Sequence, residues 1–197
     1  MIRTLAHAAP YDLGDDWAAR AYELMTHRPD NFTVELSYLH FKHETLAQWG
    51  DMLAAGLTVD FYEHGDPYAC QSSAMLADVD AGHLYTFKTD ETQGFPLDHP
   101  MLQMVLPYEG LMLNDIFRAV HDVNGHHASR SSFGPQGEKT AWLTHRQRYT
   151  QTALTALWCE TRGQASWTNH YADHASMPQH DRPFATQKCG LPNSDLI

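Results

Sequence analysis

His121 and His126 stand five positions apart around Asn124-Gly125, within the run Ala119-Val120-His121-Asp122-Val123-Asn124-Gly125-His126-His127. That spacing constrains the fold more tightly than any other feature of the chain. Five steps of about 100° place the two imidazoles roughly 140° apart on a regular α-helix, so an unbroken helix cannot aim both at one point. Helical zincin sites avoid the problem by setting their histidines four apart. Asn124-Gly125 reads as a helix-stop signal, because both residues tolerate the left-handed conformation that ends a helix. The expectation is a helix ending near His121, with His126 just past the break and swung back towards the same point.

Glu160 follows 34 positions after His126, on what reads as a long helix. Two imidazole nitrogens and one carboxylate oxygen form a facial triad that leaves three octahedral positions open, the arrangement of non-heme iron(II) oxygenases. His121, His126 and Glu160 are therefore the candidate metal ligands. The implied cofactor is Fe(II), with O2 as co-substrate and a small molecule as substrate.

Length and charge narrow the other choices. A chain of 197 residues, 43% of them hydrophobic, suits a single domain able to bury a sizeable core. Residues 172–197, with three prolines, read as an irregular tail lying on that domain. No apolar run is long enough to span a bilayer, and Met1-Ile2-Arg3-Thr4 lacks the features of a signal peptide. Cys70, Cys159 and Cys189 are an odd set without close pairing, which favours a reducing, cytoplasmic setting. Thirteen basic against 24 acidic residues, a formal charge of -11, argue against a nucleic-acid partner.

In chain order, a helix is expected from Asp12 to about His27, a turn at Pro29-Asp30-Asn31, and a second helix from Thr33 to about Ala55, stopped by Gly56. Its apolar spacing points to Leu36, Leu39, Leu46, Trp49 and Leu53. Alternation at 57–62 and 83–88 predicts two strands that can pair as a small ribbon, with a short helix from Gln71 to Asp80 between them. Residues 89–100 form a loop, a connection or a lid. Beyond Pro107, a helix from about Tyr108 carries Leu111, Leu113, Ile116, Phe117 and Val120 to the core. It places Arg118 one turn before His121, where it can hold an anionic substrate group or pair with an acid. The fold class expected is mainly α, with a minor two-stranded β-ribbon.

After a loop at 129–137 comes the longest helical pattern, from about Glu138 to Tyr171. Along it Trp142, His145, Tyr149, Thr152, Ala156, Glu160, Gln164 and Trp167 make one stripe. Two readings are open: the stripe lines a polar cavity, because buried polar groups need partners, or it is the solvent face, with Leu143, Leu154 and Leu157 as core. On the first reading His145 is a supporting or proton-transfer residue and Gln164 orients Glu160 or contacts substrate. Asp122 can accept the free N–H of a ligating imidazole and so set its tautomer.

The stretch from His121 to His126 resembles the His-Asp/Glu-x-x-Gly-His motif of the pterin-dependent aromatic amino acid hydroxylases, in which both histidines bind iron. Leu157-Trp158-Cys159-Glu160 is similar to the later segment that supplies that family's third ligand. The resemblance covers about 45 residues and implies the same three ligands, His121, His126 and Glu160. It would also bring a tetrahydropterin, although no pterin-binding stretch is recognisable and the family's arginine for the substrate carboxylate has no counterpart well upstream of His121. The chain as a whole looks like a group of small proteins found in bacteriophage genomes, through Phe-Arg-Ala-Val-His-Asp and Glu-Thr-Arg-Gly-Gln.

Two other readings compete. His121-Asp122 is the dipeptide of histidine-aspartate phosphohydrolases, where the aspartate binds metal with a later acid such as Asp173. A zinc ion could instead staple two helices in a non-catalytic module, but Cys159 faces about 100° away from Glu160 on a helix and makes a poor fourth ligand.

Overall fold

The structure, a computed structural model, describes residues 14–90 and 94–192. It is mainly helical, with one small parallel sheet. The start expected for the first helix, Asp12, lies outside the described residues. From Asp15 the chain runs as α1, Asp15–Leu24, with two acids in its first turn. The second helix, α2 (Phe32–Ala54), is capped by Asn31 Oδ1, which accepts from the Thr33 and Val34 amides, and Gly56 just beyond it has a positive φ of 95°.

The buried face of α2 is only in part the apolar face that the spacing suggests, sharing Trp49 and the half-buried Leu46 with it. Leu36, Leu39 and Leu53 are exposed, while Ser37, Tyr38, Phe41, Thr45, Gln48 and Trp49 point inward. The reason lies in what they meet. Ser37 Oγ accepts from the Ala156 amide, Thr45 hydroxyl pairs with Tyr149 at 2.8 Å, and Gln48 Oε1 meets Asn124 and His145. A polar stripe is buried here because the opposite wall carries its partners.

β1 (Thr58–Tyr62) and β2 (His83–Phe87) pair in parallel, Thr58 opposite His83, with α3 (Ser72–Asp80) as the crossover that parallel strands require. α4 (Leu113–His121) starts five residues later than expected from Tyr108, after a turn at Gly110, with Asp115 accepting from the Met112 amide at 2.7 Å. It buries Leu113, Ile116, Phe117 and Val120 against α2 and β2.

The single helix expected from Glu138 to Tyr171 is instead interrupted. α5 (Pro135–His145) begins with proline in its first turn and ends in a short 3-10 turn; Tyr149 and Thr150 are extended. The break occurs where the Thr150 amide and hydroxyl both donate to the Glu44 carboxylate, at 2.7 and 2.6 Å, so that α2 caps the restart. α6 (Leu154–Trp158), a π-helical segment at Cys159–Gly163, and α7 (Gln164–His170) then follow one another, with α7 packed on α1. From 174 to 192 the chain makes two 3-10 turns and an irregular run, along which Ala185 and Cys189 are buried. No helix among the described residues is long and apolar enough to cross a membrane.

Candidate metal site and cavity

α4 does not stop at Asn124-Gly125. It continues through a π-helical segment, Asp122–His127. The i→i+5 register of a π-helix stacks residues five apart, and His121 and His126 meet with ring centroids 5.2 Å apart. The expected helix break is thus replaced by a local change of pitch that achieves the same convergence. Gly125 has a different task from the one its helix-stop character suggested. A Cβ at this position would sit 3.0 Å from His121 Cε1 and 3.3 Å from Ala141 Cβ, so glycine makes room for the ring and for α5.

The structure brings Glu138, rather than Glu160, to these two histidines. Glu138 Oε2 lies 3.5 Å from His126 Nε2. One donor atom from each of His121, His126 and Glu138 falls within 4.8 Å of the other two, and Glu160 is not in that group. Glu138 sits in the first turn of α5, which packs against the π-helical segment.

Both imidazoles are held from behind. Gln48 Oε1 accepts from Asn124 Nδ2 at 2.9 Å and lies 3.2 Å from His145 Nε2, which makes His145 Nε2 a donor and leaves its Nδ1 as an acceptor. His121 Nδ1, 2.9 Å away, is then the donor, and its Nε2 keeps a free lone pair. Ser131 Oγ lies 3.2 Å from His126 Nδ1, with Nε2 turned to Glu138. Burial holds His121 well below the usual histidine value, with His145 and His126 adding to the effect. Burial likewise lowers His145 to about 3. For His126, burial acts in the same direction, but the Glu138 carboxylate outweighs it and the net shift is upward. Metal ligation requires a neutral imidazole with one nitrogen anchored and the other free; His121 meets this as it stands, whereas His126 Nε2 is turned to the Glu138 carboxylate and would have to give up its proton to an incoming ion.

Glu160 belongs to the second π-helical segment and lines the same hollow as His121. Tyr38 hydroxyl donates to its Oε1, Gln164 Nε2 lies 3.3 Å from its Oε2, and His99 Nε2 is 3.6 Å from Oε1. Burial pushes its carboxyl up to about 8, against the pull of Tyr38 and Gln164. Gln164 also donates to Gln187 at 2.6 Å, tying the acid to the C-terminal segment.

His121, Asp122, Glu160 and Gln164 all line a cavity of about 470 Å³, walled by aromatic rings that include Tyr62, Phe95 and Phe133. An adjoining hollow of about 340 Å³ adds Glu138. Arg118 lines the larger cavity, its guanidinium 5.8 Å over the Phe87 ring; burial lowers its pKa, while Asp122 and Asp115 oppose the shift. Burial lifts Asp122 to about 6, with Glu138 adding to the effect and Arg118 opposing it. The stripe from Trp142 to Trp167 is divided by the break at Tyr149: His145 faces His121, Glu160 and Gln164 face the cavity, and Thr152 is exposed. Asp173, the later acid of the phosphohydrolase reading, is exposed and lines neither hollow. Cys159 is buried against Met25 and the Gly190 carbonyl, as unsuited to ligation beside Glu160 as its helical angle suggests.

Sequence reasoning did not single out Glu138, Tyr38 or Gln48. Glu138 carried a signal, being an acid in the first turn after the loop that follows His126, but such acids also serve the helix dipole.

No protein-family model matches the chain, and no curated protein and no solved structure does either. The likeness to the aromatic amino acid hydroxylases and to phage proteins therefore rests on the short motifs themselves.

Proposed function

We propose that the protein is a non-heme iron(II) oxygenase acting on a small molecule, with His121, His126 and Glu138 as the facial ligands. The observation that carries this reading is the convergence of those three side chains, of which His121 lines both hollows and Glu138 the smaller. Two neutral nitrogens and one carboxylate oxygen suit Fe(II), and no further His, Cys, Asp or Glu in the described residues joins them, which keeps the set three-sided. Cis ligands of an ion bound at about 2.0–2.2 Å lie roughly 3 Å apart, so the 3.5 Å between His126 and Glu138 needs only a small side-chain adjustment.

Iron held there would supply redox chemistry that uses O2 as co-substrate. The chain's own part is to bind, orient and exclude water. Aromatic rings around the larger hollow favour a flat or apolar substrate. Arg118 on its wall offers a guanidinium to an anionic group of that substrate. Asp122, beside His121, lines the same wall and can receive a substrate hydroxyl or amine. His145 and Ser131 fix the imidazoles, and Gln164 and Tyr38 fix Glu160 across from them.

The test is anaerobic loading with Fe(II) followed by nitric oxide. The high-spin ferrous nitrosyl signal in EPR is expected from the wild type and absent from His121→Ala. Failure to take up iron, or iron that takes up no nitric oxide, contradicts the reading.

A further inference from the structure

On the far side of Glu160, three segments distant in sequence bring His27, His99 and Cys189 together. One donor atom from each lies within 4.8 Å of the others, with His99 and Cys189 buried. His27 follows α1, His99 precedes a 3-10 turn that leads towards α4, and Cys189 lies in the irregular C-terminal run. None of the three is used by the cavity's chemistry.

The details match a soft-ligand metal site. His27 Nε2 is 3.1 Å from Asp98 Oδ1, so the ring donates its Nε2–H to the carboxylate and its Nδ1 is the acceptor; Nδ1 takes the Cys189 amide N–H at 3.1 Å and lies 3.6 Å from Cys189 Sγ, and a cation bound there would replace the amide's hydrogen bond. A carboxylate behind a histidine is the usual support of a zinc ligand. For metal–sulfur and metal–nitrogen bonds of about 2.3 and 2.0–2.1 Å, neighbouring ligands of a tetrahedral ion lie roughly 3.5 Å apart, close to the separation found. His99 supplies an independent sign. Its side chain is fully buried, its Nε2 has no hydrogen-bond partner, and the ring stacks on His27 at 5.6 Å. A buried donor atom left without a partner is costly, and a ligand there removes the cost. The Lys188 main chain hydrogen-bonds the same ring, and the Met101 amide donates to its Nδ1 at 3.3 Å.

We propose that His27, His99 and Cys189 bind a zinc-class divalent cation that staples the C-terminal segment to the end of α1 and to the loop before α4. The ion's work is structural. It holds the segment whose Gln187 anchors Gln164, and through Gln164 the Glu160 wall of the cavity. The site is independent of the iron triad, which contains no sulfur.

Cobalt(II) distinguishes the two. Full-length protein loaded with Co(II) should show the near-ultraviolet sulfur-to-cobalt absorption. That band should vanish in Cys189→Ser and persist in His121→Ala and in Cys70→Ser. A wild type without the band, or a band that survives Cys189→Ser, overturns the proposal, as does a band lost with His121. If Cys189→Ser does not fold, the wild type itself decides. With Zn(II) bound, alkylation of Cys189 followed by mass spectrometry should slow by at least about tenfold, and a chelator should restore it, whereas equal rates with and without zinc overturn the site.

Discussion

His145 Nδ1 stands 2.9 Å from His121 Nδ1, and the direction of that hydrogen bond is set one residue further back, by Gln48. A fully buried histidine on α5 therefore decides which nitrogen of a histidine on α4 is free. This is a positioning role: His145 does not line the cavity and acts through His121.

Replacing His145 by alanine is expected to weaken Fe(II) binding by about 10–100-fold, the usual effect of losing such a support. A change to glutamine, which can still accept from His121, should recover part of it. Anaerobic Fe(II) titration of both variants, with far-UV circular dichroism to confirm the fold, measures the effect. Unchanged affinity in His145→Ala would contradict the role.

Gly125→Ala separates two explanations of that glycine. In an open helical position alanine stabilises by roughly 0.5–1 kcal/mol. Here the new Cβ meets His121 Cε1 at 3.0 Å, so the thermal midpoint should fall and Fe(II) affinity should drop together. A higher midpoint with unchanged iron binding would show that the ring has room to spare.

Asp15 on α1 pairs with Arg162 of the second π-helical segment and with Lys139, at 3.2 Å, on α5. Partial burial acts to raise its carboxyl, but the two cations outweigh it and the net shift is downward. A carboxyl depressed in the folded state stabilises fully above its unfolded value of about 3.9 and loses that contribution as pH falls through the folded value. Asp15→Asn should cost about 2 kcal/mol at neutral pH, because Arg162 is 4% exposed and loses a charged partner. It should also flatten the acid limb of the stability curve below about pH 4. Thermal melts of both proteins from neutral to acid pH test this, and parallel curves would contradict it.

Much of this architecture is readable from residues. Gly56 closes α2, alternation marks both strands, and the five-residue interval from His121 to His126 announces two rings meeting, although α5 starts at Pro135, inside the stretch expected to be loop. What misleads is the assumption of one helical pitch. On a 3.6-residue period His121 and His126 diverge, and the stripe from Trp142 to Trp167 is continuous. The protein instead inserts π-helical turns at Asp122–His127 and Cys159–Gly163 and an extended break at Tyr149. None of these leaves a local signal beyond Thr150, a good cap whose partner, Glu44, lies 106 residues earlier. The same distance hides the polar face of α2: Tyr38 and Gln48 are buried because of Glu160 and His145, and leucine spacing alone turns the helix the wrong way. Glu138 was obscured by its ordinariness at a helix start, and Glu160 was favoured because it matched a motif.

The account depends on Glu138 completing the histidine pair. Iron content after anaerobic loading of Glu138→Ala and Glu160→Gln, each compared with the wild type, tests this most directly. Glu138→Ala is expected to lose most of its bound iron while Glu160→Gln keeps it; iron retained in Glu138→Ala and lost in Glu160→Gln would contradict the assignment.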